Sequence, residues 1–583
     1  MADFFKKNSL MIILASLIII PLAVYWQSAG FGFVWDDEPL YINQKNFPPE
    51  NPLQNFFKFW SPSNQSMYAP VTFTFWSVIA TGTLDKSKEQ PTFKPGPFHI
   101  LNIFIHIVNG LVVFLILFYL IKNHWAAFVG ALFFSLHPLQ VESVAWVSEL
   151  RGLLCAFFGF FFLMQFILYR NYQVPAKDKD KKISFGNSKR FLYVKAVIGL
   201  VLAMLSKPAG VVFPVIALLL DFLFYKKSLK EIINVNLLFI LLTVPIIIIS
   251  VLTESAAIVK FEASLLARPI VFLDTISFYI LKIVAPFKLA ASYGNTPQSL
   301  MSNSDWIFGS IGAIVIIGLI FSFSKKYSKL LLLAFFIVIA GYLPVSGLLS
   351  FYYQYMSTTA DRYMYIPMLG ASLAFTVVIT KFKSKNSANF FAAAILIICG
   401  VLTLIHLPVW KDEMSLWTNT IDNYPEKSAH PYSGRGLLFM NDKRLKEASS
   451  DFDKAIELDS THWQALYNRG NVYLDIGNYA KAAEDFSRSI KFNPGNIDAY
   501  TNRGLAYSEL NRLDDAVNDF TKALSIKSGQ PDVYSNRGIV FAKKGDYLRA
   551  EADFRKALEL DPNDNLAKEN LNMVLELIGK QAK

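Results

Sequence analysis

The sequence predicts an all-α protein in two parts, a polytopic membrane region followed by a helical solenoid. Apolar runs of about 17 to 25 residues recur up to residue 410, and runs of that length cross the hydrocarbon core of a bilayer. Beyond residue 410 the composition becomes that of a soluble helical protein, and a 34-residue periodicity begins. We therefore predict a membrane domain, 1–410, and a repeat domain, 411–583.

About eleven apolar stretches are predicted to span the membrane. They are 9–28, 99–121, 124–137, 150–169, 191–206, 209–225, 233–253, 305–323, 329–349, 363–380 and 389–409. Lysine and arginine cluster in loops that can all face the cytoplasm, which places the N-terminus inside and the repeat domain outside. The apolar segment 268–287 carries Asp274 and Lys282, so we expect a re-entrant or interfacial helix there. The first outer loop is then 29–98.

The charge and cysteine content exclude some classes of protein. The formal net charge is +11, but the basic residues lie mainly in short loops between apolar segments, which favours a topological role over a nucleic-acid partner. Cys155 and Cys399 lie inside apolar runs, so no disulfide framework is predicted. The first apolar run is too long for a signal peptide and lacks a small-residue cleavage site, so we expect a retained helix.

The repeat domain shows one residue pattern four times. Glycine, alanine and phenylalanine each recur every 34 residues, at Gly436, Gly470, Gly504 and Gly538, at Ala448, Ala482, Ala516 and Ala550, and at Phe452, Phe486, Phe520 and Phe554. This spacing is typical of tetratricopeptide repeats, in which two helices per unit stack into a superhelix. We predict four repeats from about 429 to 565, with a partial unit before them and a capping helix after them.

Asparagine–arginine pairs recur in the repeats. They are Asn468 and Arg469, Asn502 and Arg503, and Asn536 and Arg537. Two interpretations remain open: these side chains line a groove that binds a partner protein, or they make hydrogen bonds within each repeat.

Three consecutive acids, Asp36, Asp37 and Glu38, follow the first apolar run. A charged side chain at the bilayer centre costs about 2.5–3.5 kcal/mol on insertion scales, so the acids are expected at the outer interface or in a wet cavity. They could form a solvated loop with Trp35 and Tyr41 as interface anchors. Alternatively, they supply a general base or ligands for a hard cation.

Other polar residues are predicted on the same outer face. They are His137, Glu142, Arg151, Lys207, Asp361 and Arg362. Each cation alone is explained by snorkelling to the interface. Together, three cations beside several carboxylates suit an anionic, lipid-linked phosphate next to a base.

Seven stretches in this order resemble the transmembrane and tetratricopeptide-repeat O-mannosyltransferases of the GT-C glycosyltransferase superfamily. They are DDEPLY (36–41), YAPVT (68–72), HILNIFIHIVNGLVVF (99–114), HPLQVESVAW (137–146), LSKPAGV (205–211), ADRYMYIPMLG (360–370) and WKDEMSLW (410–417). The resemblance implies a polyprenyl-phosphate sugar donor and acceptor proteins recruited by the repeats. It also implies a catalytic acid in the first outer loop, Asp36 or Asp37, with a divalent metal such as Mg or Mn at this pair in some relatives.

The same resemblance implies that Arg151, Lys207 and Arg362 hold the departing lipid phosphate. The short loops suggest a bacterial inner membrane with periplasmic repeats. Two alternatives remain: a non-catalytic membrane-anchored scaffold for assembly or secretion, and a polymerase or ligase of lipid-linked oligosaccharide. Eleven predicted spans weigh against the scaffold, because an anchor needs only one helix.

Overall fold

The structure is a computed structural model that divides the chain into two compact units, Met1–Tyr424 and Pro425–Lys583. It describes residues 9–37, 58–60, 68–85, 92–172, 189–258, 264–265, 267–302, 305–326, 329–348 and 352–581. Residues 411–424, which the sequence analysis assigned to the repeat domain, fold with the first unit. The Gly32 N–H donates to the Lys411 carbonyl (3.0 Å), which ties this segment to the end of the first helix.

Within the described residues, the regular secondary structure of the first unit is helical apart from one short hairpin. Its α-helices are Ser9–Tyr25, Pro70–Ala80, Gly96–Ile121, His124–Leu136, Val141–Ala145, Leu150–Asn171, Lys189–Ser206, Phe213–Leu219, Leu229–Ile258, Arg268–Val284, Pro297–Ser302, Asp305–Lys326, Lys329–Tyr342, Met368–Thr380, Lys385–His406 and Glu413–Asn423. The hairpin pairs Leu84–Asp85 with Thr92–Phe93 in antiparallel register. The helix Pro70–Ala80 lies within the segment that the sequence analysis took for a loop.

Several of these helices can cross a membrane, and each predicted span coincides with a helix. Among the described residues, five helices are long and apolar enough to cross, or up to six if one bent pair counts as a span. Most of the other predicted spans are shorter apolar helices. The chain is therefore a membrane protein, while the count of eleven crossings stays a prediction.

One helix pair bends by 53° where His124–Leu136 meets Pro138–Ala145. A proline disfavours helical geometry in the residue before it, and His137 is indeed extended, with ψ of 133°. The His137 Nδ1 accepts from the Leu139 N–H (3.3 Å), which caps the turn after the bend. The bend and a second extended residue at Trp146 bring residues 142–151 into one buried, polar segment.

The second unit consists of paired helices that repeat. They are Ala429–Asn441, Leu445–Leu458, Trp463–Asp475, Tyr479–Phe492, Ile497–Glu509, Leu513–Ile526, Pro531–Lys543, Tyr547–Leu560 and Asn565–Gln581. A Cβ added at Gly470 would lie 2.7 Å from the Phe486 ring, so glycine is what lets the two helices of the repeat approach so closely. Phe486 and Ala482 are fully buried between them. The all-α fold with a helical-repeat region is confirmed.

Candidate functional site

The chain turns sharply after the first helix and directs Asp36 and Asp37 into the first unit. Trp35 has a φ of +59°, in the left-handed region that non-glycine residues rarely adopt. Its N–H donates to Glu413 Oε1 (3.0 Å), and its ring stacks on Trp146 with centroids 4.9 Å apart. These contacts hold the turn, and Trp35 is packed in the protein rather than acting as the interface anchor considered above.

Asp37 is fully buried and its carboxylate is fully hydrogen-bonded. Its Oδ1 accepts from the Ser148 N–H (2.8 Å) and the Ser148 hydroxyl (2.5 Å). Its Oδ2 accepts from the Val34 N–H (3.1 Å). Burial raises the pKa of Asp37 to about 7, and the hydrogen bonds from Ser148 and Val34 oppose that rise. Asp37 therefore fastens the turn to residue 148.

Asp36 has a different environment, although it is also buried. Its Oδ2 accepts from the Tyr353 hydroxyl (2.8 Å), whereas its buried Oδ1 has no hydrogen-bond partner among the described residues. Burial raises the pKa of Asp36, while the positive charges of Arg151 and Arg362 and the Tyr353 hydrogen bond lower it. A buried carboxylate oxygen without a partner is costly, which makes Asp36 a candidate functional group.

Arg362 lies in an aromatic cage beside this carboxylate. Its guanidinium carbon lies 4.9 to 5.5 Å from the ring centroids of Trp35, Trp146, Tyr353 and Tyr363. Its Nη1 donates to Glu142 Oε1 (2.5 Å), and its backbone N–H donates to Glu142 Oε2 (2.9 Å). Glu142 thus holds both the charge and the backbone of Arg362 in place.

Glu149 joins the other two predicted cations. Both of its carboxylate oxygens accept from Lys207 Nζ (3.0 and 2.9 Å), and Arg151 Nη2 lies 3.8 Å from its Oε1. Arg151 also donates from Nε to the Ser148 carbonyl (2.8 Å). The Lys207 side chain is 24% exposed, whereas the Arg151 side chain is 3% exposed. Lys207 is therefore the cation of this group that a ligand reaches most easily.

The remaining predicted residues of this face occupy separate positions. Asp361 Oδ1 accepts from the Tyr293 hydroxyl (2.6 Å), and burial together with the charge of Glu142 raises the pKa of Asp361 to about 8. Both ring nitrogens of His137 are used by backbone groups, Nδ1 by Leu139 and Nε2 by the Ile283 carbonyl (3.0 Å). Glu38 lies outside the described residues.

The described residues do not test the divalent metal predicted at the aspartate pair. They contain no group of three or more His, Cys, Asp or Glu side chains placed to hold an ion. The Asp37 oxygens already accept three hydrogen bonds, which leaves Asp36 Oδ1 as the one oxygen of the pair without a donor. The metal stays a prediction, and no step below depends on it.

In the repeats, the arginines make contacts within the array. Arg469, Arg503 and Arg537 each form a bidentate pair with an aspartate 16 residues later, Asp485, Asp519 and Asp553. Asn502 donates to Asn471 Oδ1 (2.8 Å) and to the Tyr467 hydroxyl (3.3 Å) of the preceding repeat. Asn468 and Asn536 are half-buried. The arginine–aspartate pairs lie within a repeat, whereas the Asn502 bonds join adjacent repeats, and binding of a partner stays a prediction.

Several residues that shape the site were not selected from the sequence. They are Tyr353, Ser148, Trp146, Glu413 and Tyr293. Tyr353 is 317 positions from Asp36, so no local pattern links the two residues. Glu149 belongs with Glu142 and Arg151 to a polar cluster between two apolar runs, so the sequence does signal this residue.

Family models agree with the repeat geometry. The tetratricopeptide-repeat model matches residues 463–496, 497–529 and 531–564, and a second model of the same repeat matches 429–462. Residues 429–564 are tetratricopeptide repeats. The crystal structure of MamA is 26% identical over 26% of this chain and 86% of that chain, with a TM-score of 0.25. The Arabidopsis OM64 TPR domain is 31% identical over 19% of this chain and 93% of that domain, with a TM-score of 0.19.

Curated relatives extend the similarity into the membrane unit. The chain is 26% identical over 489 residues to the protein O-mannosyl-transferase F38B6.6 of Caenorhabditis elegans, covering 78% of this chain and 63% of the relative. It is 23% identical to protein O-mannosyl-transferase TMTC3 of Mus musculus, covering 82% of this chain and 54% of the relative. It is 24% identical to protein O-mannosyl-transferase TMTC4 of Mus musculus, covering 73% of this chain and 64% of the relative. The chain therefore spans somewhat more than half the length of these relatives, and the predicted resemblance is confirmed.

Proposed function

We propose that this chain is an integral-membrane glycosyltransferase that transfers a sugar from a polyprenyl-phosphate donor to hydroxyl groups of acceptor proteins. The observation that carries the proposal is the buried Asp36 carboxylate, which lies beside Arg151 and Arg362 and whose Oδ1 has no hydrogen-bond partner in the part of the chain that the structure describes. This cluster stands at the end of the first apolar helix, where a lipid-borne head group arrives. The names of the curated relatives support protein acceptors and make mannose the first sugar to test.

Asp36 acts as the general base in this proposal. Its Oδ1 takes the proton of a serine or threonine hydroxyl while that oxygen attacks the anomeric carbon of the donor. The bond between the anomeric carbon and the phosphate oxygen breaks, and the lipid phosphate leaves with the electron pair. Asp37 does not suit this role, because its oxygens are engaged by Ser148 and Val34.

The cations stabilise the negative charge that grows on the leaving phosphate. Lys207 is the direct contact in this proposal, because its side chain is the most exposed of the three predicted cations. Arg362 is held by Glu142 and four aromatic rings, so it sets the local potential without leaving its place. The proposed setting is a bacterial inner membrane with the site and the repeats on the periplasmic face.

The test is transfer of radiolabelled mannose from undecaprenyl-phosphate mannose to a Ser/Thr peptide library by the full-length protein in lipid vesicles. Dolichyl-phosphate mannose and undecaprenyl-phosphate glucose are assayed in parallel. Asp36→Asn is expected to lower the rate by about 100-fold or more, because general bases contribute 10²–10⁴-fold. The thermal midpoint should change little, because the amide oxygen of asparagine can still accept the Tyr353 hydrogen bond.

Asp442→Asn, at an exposed carboxylate of the repeats, is the matched control and should keep the full rate. Full activity of Asp36→Asn would exclude the proposed base and favour the scaffold alternative. Label that appears on lipid-linked oligosaccharide, with none on the peptides, would instead favour the polymerase or ligase.

A further inference from the structure

The Asp36 carboxylate is asymmetric in its contacts, and a single side chain creates the asymmetry. The Tyr353 hydroxyl donates to Oδ2 over 2.8 Å, while Oδ1 has no hydrogen-bond partner. Asp36 is only 5% exposed, so bulk water does not replace the missing hydrogen bond to Oδ1. Tyr353 therefore determines which oxygen stays open.

Tyr353 is held in place by the segment that carries it. It lies in the short 3-10 helix Tyr352–Tyr355, and the chain that follows is fastened at several points. The Thr358 N–H donates to the Asn295 carbonyl (2.8 Å), and the Ala360 N–H donates to the Tyr279 hydroxyl (3.0 Å). Further along, the Arg362 N–H donates to Glu142 (2.9 Å). A hydroxyl on so well anchored a segment has a defined position.

The Tyr353 ring also contacts the rest of the site. It meets the Trp35 ring edge to face, with centroids 6.4 Å apart, and the Arg362 guanidinium carbon lies 5.2 Å from its centroid. Removal of the hydroxyl alone leaves these ring contacts in place. The hydrogen bond to Asp36 can therefore be tested separately from the packing.

We propose that Tyr353 is a positioning residue for the general base: it orients Asp36, leaves Oδ1 as the atom that accepts the proton, and keeps the carboxylate ionised. This inference rests on the proposed function, since it requires Asp36 to act as a base. A hydrogen bond donated to a carboxylate stabilises the ionised form, which is the form that a base needs.

The other charged groups around Asp36 set the direction of the expected pH effect. Arg151 and Arg362 favour the ionised carboxylate, as does Tyr353, whereas burial and the negative charge of Glu149 oppose ionisation. In turn, the negative charge of Asp36 raises the pKa of the adjacent Asp37, whose largest cause of a raised pKa is burial. Without the Tyr353 hydroxyl the balance moves toward the protonated form, so a higher pH is needed to generate the base.

The test is the pH profile of kcat/KM for mannosyl transfer by full-length Tyr353→Phe in lipid vesicles. The pH at which kcat/KM reaches half its maximum on the acidic side, here called the acidic limb, is expected to rise by about one pH unit. This is the size expected for loss of one hydrogen bond to a charged group. Activity should be lost mainly at low pH and recovered at high pH. The thermal midpoint is measured in parallel, and it should stay close to that of the wild type.

Tyr193→Phe is the matched control, because it also removes one tyrosine hydroxyl, which donates to the Val235 carbonyl (2.9 Å) and contacts none of the groups assigned to the site. Its acidic limb should not move. A Tyr353→Phe profile with an unchanged limb, whether the rate falls equally at every pH or does not fall, would overturn the inference and leave the proposed function standing. Full activity of Asp36→Asn would overturn the proposed function itself.

Discussion

Two neighbouring aspartates at the end of the first helix have opposite surroundings. Asp37 has three donors for two oxygens, whereas Asp36 has one. The left-handed Trp35 before them is of the kind that costs about 1–3 kcal/mol, and it persists only where its surroundings hold it. Here Glu413 and the Trp146 ring do so. The candidate base, Asp36, and the structural carboxylate, Asp37, are thus neighbouring residues directly after a strained turn.

Asp361 gives a prediction for the pH dependence of stability. Burial and Glu142 raise its pKa in the folded state to about 8, above the value of about 3.9 expected in the unfolded chain. The stabilising contribution of the protonated carboxyl is therefore fully present below about pH 4 and is lost as the pH rises toward 8. Asp361→Asn stays neutral and can still accept from Tyr293, so its thermal midpoint should fall less between pH 5 and pH 8 than that of the wild type.

Fluorescence-monitored melting of the full chain in detergent measures this difference. Asp442→Asn is the control and should follow the wild type. An Asp361→Asn protein with the same pH dependence as the wild type would contradict the raised pKa.

At the scale of the element, each repeat arginine links two units of the array. Arg503 pairs with Asp519 in its own repeat, and its Nη1 also donates to Ser487 (2.9 Å) in the preceding one. Arg469 makes the equivalent contacts with Asp485 and Asp453, 16 residues ahead and behind. These half-buried bonds couple adjacent repeats, which is how a stack of units gains stability from its interfaces.

Arg503→Gln should therefore loosen the array. The bidentate bond to Asp519 is lost and a poorly exposed carboxylate is left without its partner, at a cost of about 1–3 kcal/mol. Hydrogen exchange of the full chain should speed up in the helices Ile497–Glu509 and Leu513–Ile526. Arg512→Gln removes an exposed pair with Asp515 and is the control, with no measurable change expected. Equal exchange in the two variants would show that the buried pairs do not couple the repeats.

At the scale of the whole molecule, the position of the boundary between the two units decides which residues support the candidate site. The helix Glu413–Asn423 belongs to the first unit, where Glu413 accepts from the Trp35 N–H and the Trp417 ring lies 5.5 Å from the Trp35 ring. The repeats begin only after this helix. A truncation at residue 410, the boundary predicted from sequence, would therefore remove supports of the aspartate turn.

Two truncations separate recruitment from catalysis. A chain that ends at residue 424 keeps Glu413 and Trp417, so it should still transfer sugar to a short peptide. Its transfer to intact acceptor proteins should fall by about tenfold or more, because tethering raises the effective acceptor concentration. A chain that ends at residue 410 should lose both activities. Equal peptide transfer by the two truncations would show that Glu413 and Trp417 do not support the site, and unchanged protein transfer at 424 would exclude recruitment by the repeats.

The sequence by itself determined the elements that depend on local periodicity. Apolar runs of membrane-spanning length and a 34-residue repeat of Gly436, Ala448 and Phe452 depend only on side-chain spacing, so the helical fold and the repeats could be predicted. The acids and cations predicted on the outer face were found in the same way, as polar groups between apolar segments.

Only the tertiary structure decided which partners those polar residues contact. In the fold, Asp37 is hydrogen-bonded to Ser148, Arg362 to Glu142 and Lys207 to Glu149. Asp36 is hydrogen-bonded to Tyr353, which is 317 positions away in the chain. The physical reason is that a buried carboxylate is controlled by the donors packed around it, and a long chain brings those donors from segments that share no local pattern.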